Sequence, residues 1–490
     1  MENVAINARK KVTMENYFSQ AKIVTPNNIA KLLSLSAKSV VQSTELVNNF
    51  LLVNGKVVVN AVYLSEENKV ETTETSVDFV EKQKANFVMS ELWATDEVKI
   101  ADCSFSSSEV MCSIEHKTEV VGIFRYLVGD AGKAEDDFVL NTKKIECLNF
   151  LAACEDSFVV AEEVESNLKN IRILNIQATS NLTNVSATID KIIIEGKIKL
   201  HALYDDENGL GEISREFEFK QEIACKNAMP DMHGEAVLDL TNATITEQEQ
   251  EDKNRFAFVF DLKAKAYLFE NQSVETYDDI FSLSKEIVPV YDVIELESFD
   301  GNQFETDAVL VQTDVSVYSD FDDLIGVYDP KVSVVSIEDN GEHATIYAEV
   351  SALAVYKTTN SINSFNLSHK TKFEFEKDVK KQLKTVKTTA NVSSFKVKAG
   401  KDLDCTMFVD FILEYQKTSS ENYVKSFELK QDKITDDAAV KVYVTRANQT
   451  LFDVAKAINL RPEVIAKQNE ITDVFESGQK IYVYSPLNTI

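Results

Sequence analysis

The chain has 490 residues, 44% of them hydrophobic, and a formal net charge of −29. That length and apolar content fill three or four cores and exclude a disordered chain. A surface of that sign repels phosphate backbones and anionic headgroups, which argues against nucleic acid as a partner and against membrane insertion.

Only 6 prolines and 13 glycines interrupt the chain, and its Val, Ile, Thr, Phe and Tyr content favours strands. No run approaches the ~18 apolar residues of a membrane helix. Residues 1–24 read as a charged lead without the apolar stretch of a secretory signal, so a cytoplasmic protein is expected. Thr25-Pro26 then fits an N-cap and first helical position, and Ile29, Leu32, Leu33 and Leu35 follow at helical spacing, which predicts a short amphipathic helix. Ser39–Leu46 reads as a strand. Leu51–Tyr63 is a thirteen-residue alternating strand, followed by a turn at Ser65–Asn68 and a return strand around Thr75–Val80.

Ile192–Tyr204 repeats the long strand. Gly196 stands eight residues before Tyr204 as Gly55 does before Tyr63, and both glycines are expected to bend or bulge their strand. Alternating runs also end at Tyr126, Tyr267, Tyr356 and Tyr415. Tyr63 and Tyr126 lie 63 residues apart, as do Tyr204 and Tyr267, and Tyr356 and Tyr415 lie 59 apart. The six strands therefore group as three pairs, predicting three tandem domains of about 140 residues. Their expected spans are 25–152, 153–300 and 301–436, with boundaries near 150–158, 298–306 and 432–439. The fold expected is mainly β: three sandwich- or barrel-like domains, each opening with a short helix or turn. Tyr267 alternates out of phase with Phe256–Ala266, which predicts a bulge or a different register there. Asp205–Gly209 reads as a hairpin turn rather than a calcium loop.

From residue 440 the pattern changes to strand, helix, helix, strand. Val442–Val444 is a strand, Thr450 caps a helix through Leu451, Val454, Ala455 and Ile458, Pro462 opens a second helix, and Gly478–Val483 returns as a strand. Tyr443-x-Val, Thr450-Leu451, Val454-Ala455, Asn469 and Gly478-Gln-Lys-Ile481 resemble a LysM domain over 440–490. That resemblance implies a βααβ fold with a groove for N-acetylglucosamine glycans. Here the groove would be formed by Ala447, Asn448, Gln449 and Thr450 on one side and by Asn469, Glu470, Ile471 and Thr472 on the other. The family's usual Gly-Asp before the threonine is Asn448-Gln449 in this chain.

Pro26–Leu33, Ala37–Val41, Val53–Leu64 and Ile194–Tyr204 resemble the SPOCS domain, also called domain of unknown function 3794. Three such units with a terminal LysM resemble spore-coat morphogenetic proteins. The third unit is divergent and lacks the Gly-Lys. The resemblance implies a non-enzymatic scaffold on the mother-cell side of the forespore. Its LysM would dock on the coat-basement ATPase, with peptidoglycan as the alternative ligand.

Chemical signatures are sparse. The nucleophile-elbow, dinucleotide, phosphate-loop and zinc-protease motifs are missing, so no catalytic residue and no cofactor is expected. His116, His201, His233, His343 and His369 are scattered and show no neighbouring ligands, and the six cysteines form no Cys-x-x-Cys. They read as structural residues, and no metal site is expected.

Overall fold

The computed structural model describes residues 3–130, 136–207, 209–248, 254–318, 320–359, 361–377, 381–398, 401–434, 440–469 and 475–484. The fold is mainly β, and its body is three repeats of one strand order. The first repeat holds β1 (Asn3–Thr13), β2 (Tyr17–Val24), β3 (Ile29–Val47), β4 (Phe50–Ser65), β5 (Val70–Lys84), β6 (Met89–Phe105) and β7 (Glu109–Gly129). The second holds β8 (Phe138–Ser166), β9 (Arg172–Thr188), β10 (Lys191–Asp206), β11 (Gly209–Ala224), β12 (His233–Gln248) and β13 (Asn254–Ser282). The third holds β14 (Lys285–Asp314), β15 (Asp323–Asp339), β16 (His343–Lys357), β17 (Ile362–Glu376), β18 (Gln382–Lys398) and β19 (Asp402–Asp432), with a 3-10 turn at Val315–Val317. No helix among the described residues is long and apolar enough to cross a membrane.

Each repeat pairs two antiparallel sheets. One is a meander with the long strand in its centre: β3-β4-β5, β9-β10-β11 and β15-β16-β17. The other is built on the last strand of the repeat, as β12-β13-β8 and β14-β19-β18. In the first repeat β7 pairs with β6 on one side, and on the other with β2 along its first half and β1 along its second. β1 and β2 together thus do what β8 and β14 do as single strands. The two sheets face each other across one core, into which period-2 alternation sends Ile192, Ile194, Ile198, Leu200 and Ala202 from β10 and Phe256, Phe258, Phe260 and Leu262 from β13. Fully burying each such side chain contributes about 1.5–3 kcal/mol.

The spacing from Gly55 to Tyr63 and from Gly196 to Tyr204 is the spacing of two bulges on the neighbouring strand. Register slips opposite Asn54/Gly55, Glu195/Gly196 and Tyr347/Ala348, and again opposite Val62/Tyr63, Leu203/Tyr204 and Val355/Tyr356. At the first bulge the glycine sits under a ring from the following strand, Phe79 or Phe219. A Cβ at Gly55 would lie 2.6 Å from Phe79 and at Gly196 2.4 Å from Phe219. The third repeat has Thr371 opposite Ala348, so the ring is gone and the glycine with it.

The second bulge builds the contact between repeats. Its extra residue is Leu33, Leu174 or Ile325, turned out of the domain core. These three meet Val62, Leu203 and Val355 in one inter-repeat cluster. A second shared cluster joins Ile6 and Val128 of the first repeat, Ile145 and Val274 of the second, and Ile294, Leu296 and Tyr423 of the third. Residues of all three repeats thus meet in two shared clusters.

Several expectations are corrected here. Residues 29–35 are the start of β3, not a helix. Slips at Ile29/Lys31 and Leu32/Ser34 each add one residue, which turns a period-2 pattern into the helix-like spacing of Ile29, Leu32, Leu33 and Leu35. Asp323–Ile325 likewise opens β15. Residues 1–24 are no lead, since β1 and β2 complete the first repeat's sheet. The stretches 150–158 and 298–306 lie inside β8 and β14. Tyr267 is out of phase because its face of β13 is buried against the first repeat, where it packs on Ile123 and its hydroxyl donates to the Glu91 carbonyl at 3.0 Å. The slip itself falls one residue later, between Leu268 and Phe269.

Candidate functional site

After the third repeat come β20 (Val440–Val444), α1 (Leu451–Ile458), α2 (Pro462–Asn469) and β21 (Lys480–Tyr484), the βααβ order read from the sequence. Thr450 caps α1 in a reciprocal box: its hydroxyl accepts from the Asp453 N–H at 3.2 Å and Asp453 Oδ2 accepts from the Thr450 N–H at 2.8 Å. Asn459, left-handed at φ 58°, ends the helix, and Pro462 starts the next. Phe452, Val454, Ala455, Ile465, Phe475, Ile481 and Val483 form the small core.

That core is not closed on itself. It continues into Val139 and Phe281 at the end of the β8–β13 ribbon, with the Phe281 and Phe452 rings 5.4 Å apart. Lys456 Nζ reaches both Asp279 carboxylate oxygens at 2.6 and 2.7 Å, Asn459 Nδ2 donates to the Leu283 carbonyl at 2.8 Å, and Arg461 donates to the Asp136 carbonyl. The face of α1 is therefore committed to the second repeat.

Of the residues expected to line a glycan groove, Gln449, Thr450 and Asn469 are committed as well. Ala447 and Asn448 are exposed. Gln449 bonds Tyr443 Oη at 3.0 Å and accepts from the Arg446 N–H at 2.8 Å. Thr450 is the cap. Asn469 joins α2 to β21, donating to the Tyr482 carbonyl at 2.7 Å and accepting from the Tyr482 N–H at 2.8 Å. Glu470, Ile471 and Thr472 lie outside the described residues. The two loops are also bonded to each other, by Phe475 N–H to the Gln449 carbonyl at 3.0 Å and Gly478 N–H to the Thr445 carbonyl at 2.9 Å.

A different surface stands out. Val440, Val442 and Val444 on β20 and Tyr482 and Tyr484 on β21 are all exposed by 42% or more, and Val440 pairs with Tyr484 and Val442 with Tyr482 across the strands. The alternation at 440, 442 and 444 was visible in the sequence, but nothing local says which face of a two-stranded sheet is covered.

The structure also corrects the reading of His116. β7 sends Val110, Cys112, Ile114, His116, Thr118 and Val120 to one face, all buried. There His116 meets Glu81 from β5 and Asp96 from β6. His116 Nδ1 lies 2.8 Å from Asp96 Oδ2 and 3.6 Å from Glu81 Oε1, and Nε2 lies 2.8 Å from Ser19 Oγ. Thr118 Oγ1 lies 2.8 Å from Glu81 Oε1 and 3.1 Å from Asp96 Oδ1, and the Ser39 hydroxyl donates to Asp96 Oδ2 at 2.5 Å. Burial, reinforced by Asp96, pushes the Glu81 carboxyl above its usual range despite the Thr118 bond. Ser19, His116 and Asp96 have the connectivity of a nucleophilic relay. Ser19 is only 6% exposed, however, and a sealed hydroxyl meets no acyl substrate. Polar residues on a core-facing parity were the signal for this cluster; the convergence of three strands was not readable locally.

Residues 171–246 match the family model described as SipL, SPOCS domain. They cover β9 to β12, the meander of the second repeat and the strand after it. No curated protein and no solved structure matches the chain. On this segment the protein is SipL-like, which connects it with sporulation and the spore coat.

Proposed function

We propose that this SipL-like chain is a non-enzymatic scaffold of the endospore coat, with three SPOCS-type repeats as its body and the βααβ module as its docking element. The observation that carries the reading is the SPOCS match on β9–β12, in a repeat whose paired bulges recur opposite β4 and β16. Repeats one and three are read as diverged copies on that ground. The LysM resemblance supplies the module's assignment, and the resemblance of the whole chain to spore-coat morphogenetic proteins supplies its partner, the coat-basement ATPase, met on the mother-cell side of the forespore.

A protein partner is favoured over a glycan by the chemistry of the module. Thr450 and Asn469 spend their polar groups on the fold, whereas the Val442/Tyr482 face offers apolar and aromatic surface of the kind enriched in protein interfaces. The test is a binding titration of the full chain with that ATPase. Val442→Asp with Tyr482→Ser is expected to weaken binding at least tenfold, since interface hot spots contribute about 2 kcal/mol or more, while circular dichroism and melting stay unchanged. Retention of the wild-type chain on purified peptidoglycan, competed by chitin fragments, would replace protein docking by wall binding.

A further inference from the structure

We propose that Glu81, Asp96 and His116 form a divalent transition-metal site inside the first repeat, with Zn2+ as its natural occupant. The donor atoms of the three side chains lie within 4.8 Å of one another. His116 Nδ1 is 2.8 Å from Asp96 Oδ2 and 3.6 Å from Glu81 Oε1. Ligands about 2.0–2.2 Å from a shared zinc stand roughly 3–4 Å apart, so a cation enters with small side-chain shifts. Imidazole with carboxylates is a donor set that suits zinc and its first-row neighbours rather than calcium.

Hydrogen bonding alone leaves this cluster incomplete. Glu81 is 2% exposed, and its Oε2 has no partner although buried. The hydroxyls of Ser39 and Thr118 and the imidazole serve the other carboxylate oxygens. A buried carboxylate oxygen without a donor is costly. A cation bound by both Glu81 oxygens would satisfy it and bring the count to four donors with Nδ1 and Asp96 Oδ2. Its two charges neutralise the two carboxylates while the imidazole stays neutral.

The surroundings fit the same state. With Nδ1 on the metal, Nε2 carries the proton and donates to Ser19 Oγ at 2.8 Å, the outer-shell bond that orients a metal-binding histidine. Thr118 and Ser39 hold the carboxylates from behind. The Phe79 and Tyr17 rings, with centroids 4.6 and 5.2 Å from the imidazole, keep the site dry. The site has four donors from protein and no open position, so its role is to join β5, β6 and β7 rather than to act on a substrate.

The experiment uses the full chain, stripped with a chelator and reloaded with Zn2+. Expected are one zinc per chain retained through gel filtration and a melting temperature about 5 °C or more higher at hundredfold excess over Kd. Glu81→Gln keeps the shape of the side chain and is expected to lose the zinc. Ser19→Ala removes only the acceptor for Nε2–H and is expected to weaken zinc binding about tenfold or more. Co2+ loading should give a visible spectrum of a four-coordinate nitrogen–oxygen site that Glu81→Gln abolishes. The proposal is overturned if the wild-type chain retains no zinc and melts alike with and without it. Equal zinc retention by folded Glu81→Gln and His116→Gln overturns it too, since the metal then sits elsewhere. Should His116→Gln fail to fold, Glu81→Gln and Ser19→Ala carry the decision.

Discussion

Replacing Gly196 by alanine adds one methyl where β10 is held between the bulge of β9 and the ring of Phe219. The new Cβ would fall 2.4 Å from the Asn181 carbonyl oxygen and 2.4 Å from Phe219 Cζ, both far inside van der Waals contact. The ring has little freedom to move, being packed on Phe158 with centroids 5.8 Å apart, and the carbonyl belongs to a hydrogen-bonded strand. Overpacking of this kind costs about 1–3 kcal/mol. With a backbone atom as one partner the expected loss is about 2–3 kcal/mol, or roughly 5–10 °C in the melting of a unit this size. The third repeat supplies the control, because Ala348 stands at the same place with Thr371 opposite. Gly196→Ala combined with Phe219→Thr should therefore lose less than the two single variants together, by about 1 kcal/mol or more in a double-mutant cycle. Calorimetry of the whole chain gives the loss, and hydrogen exchange of β9–β11 locates it. Wild-type melting for Gly196→Ala, or strict additivity in the cycle, would refute the reasoning that the ring and the bulge dictate the glycine.

Two further outcomes follow from other contacts. Phe281→Ala removes the ring shared by the β8–β13 ribbon and α1; it should cost about 3–5 kcal/mol as a buried aromatic and loosen the βααβ module, read as faster hydrogen exchange of α1 with the repeats still folded. Asp239, half-buried on β12 beside Lys263 of the second repeat and Lys38 of the first, is pushed up to about 6 by desolvation against the pull of those two lysines. The folded chain then holds a proton that the unfolded chain releases near about 4. This stabilisation is full below about pH 4 and lost as pH rises through about 6, up to about 2–3 kcal/mol. Asp239→Asn should flatten the denaturation midpoint between pH 4 and 6, and parallel curves for variant and wild type would reject the buried-acid reading.

By itself the sequence determined what lies within a strand and its immediate neighbours. Alternation places Ile192, Ile194, Ile198 and Leu200 on one face whatever the fold, because side chains of an extended chain point to opposite sides in turn. The eight residues from Gly55 to Tyr63 and from Gly196 to Tyr204 carry the spacing of two bulges, so the strand unit and its recurrence were legible. The capping box at Thr450 and the Pro462 start are equally local, and with them the βααβ order. Tertiary structure decided whatever depends on partners far along the chain. β1 pairs with β7 and β8 with β13, partners about ninety to a hundred and forty residues away, so the first strand of each repeat looked like a lead or a linker. Leu33, Leu174 and Ile325 became contacts between repeats only because a bulge turns each one out of its own core. Glu81, Asp96 and His116 sit on three separate strands, each an ordinary polar residue in an alternating run. Pairing of β6 and β7 within one sheet, and the packing of β5 against it, brings the three side chains together in the interior of the repeat.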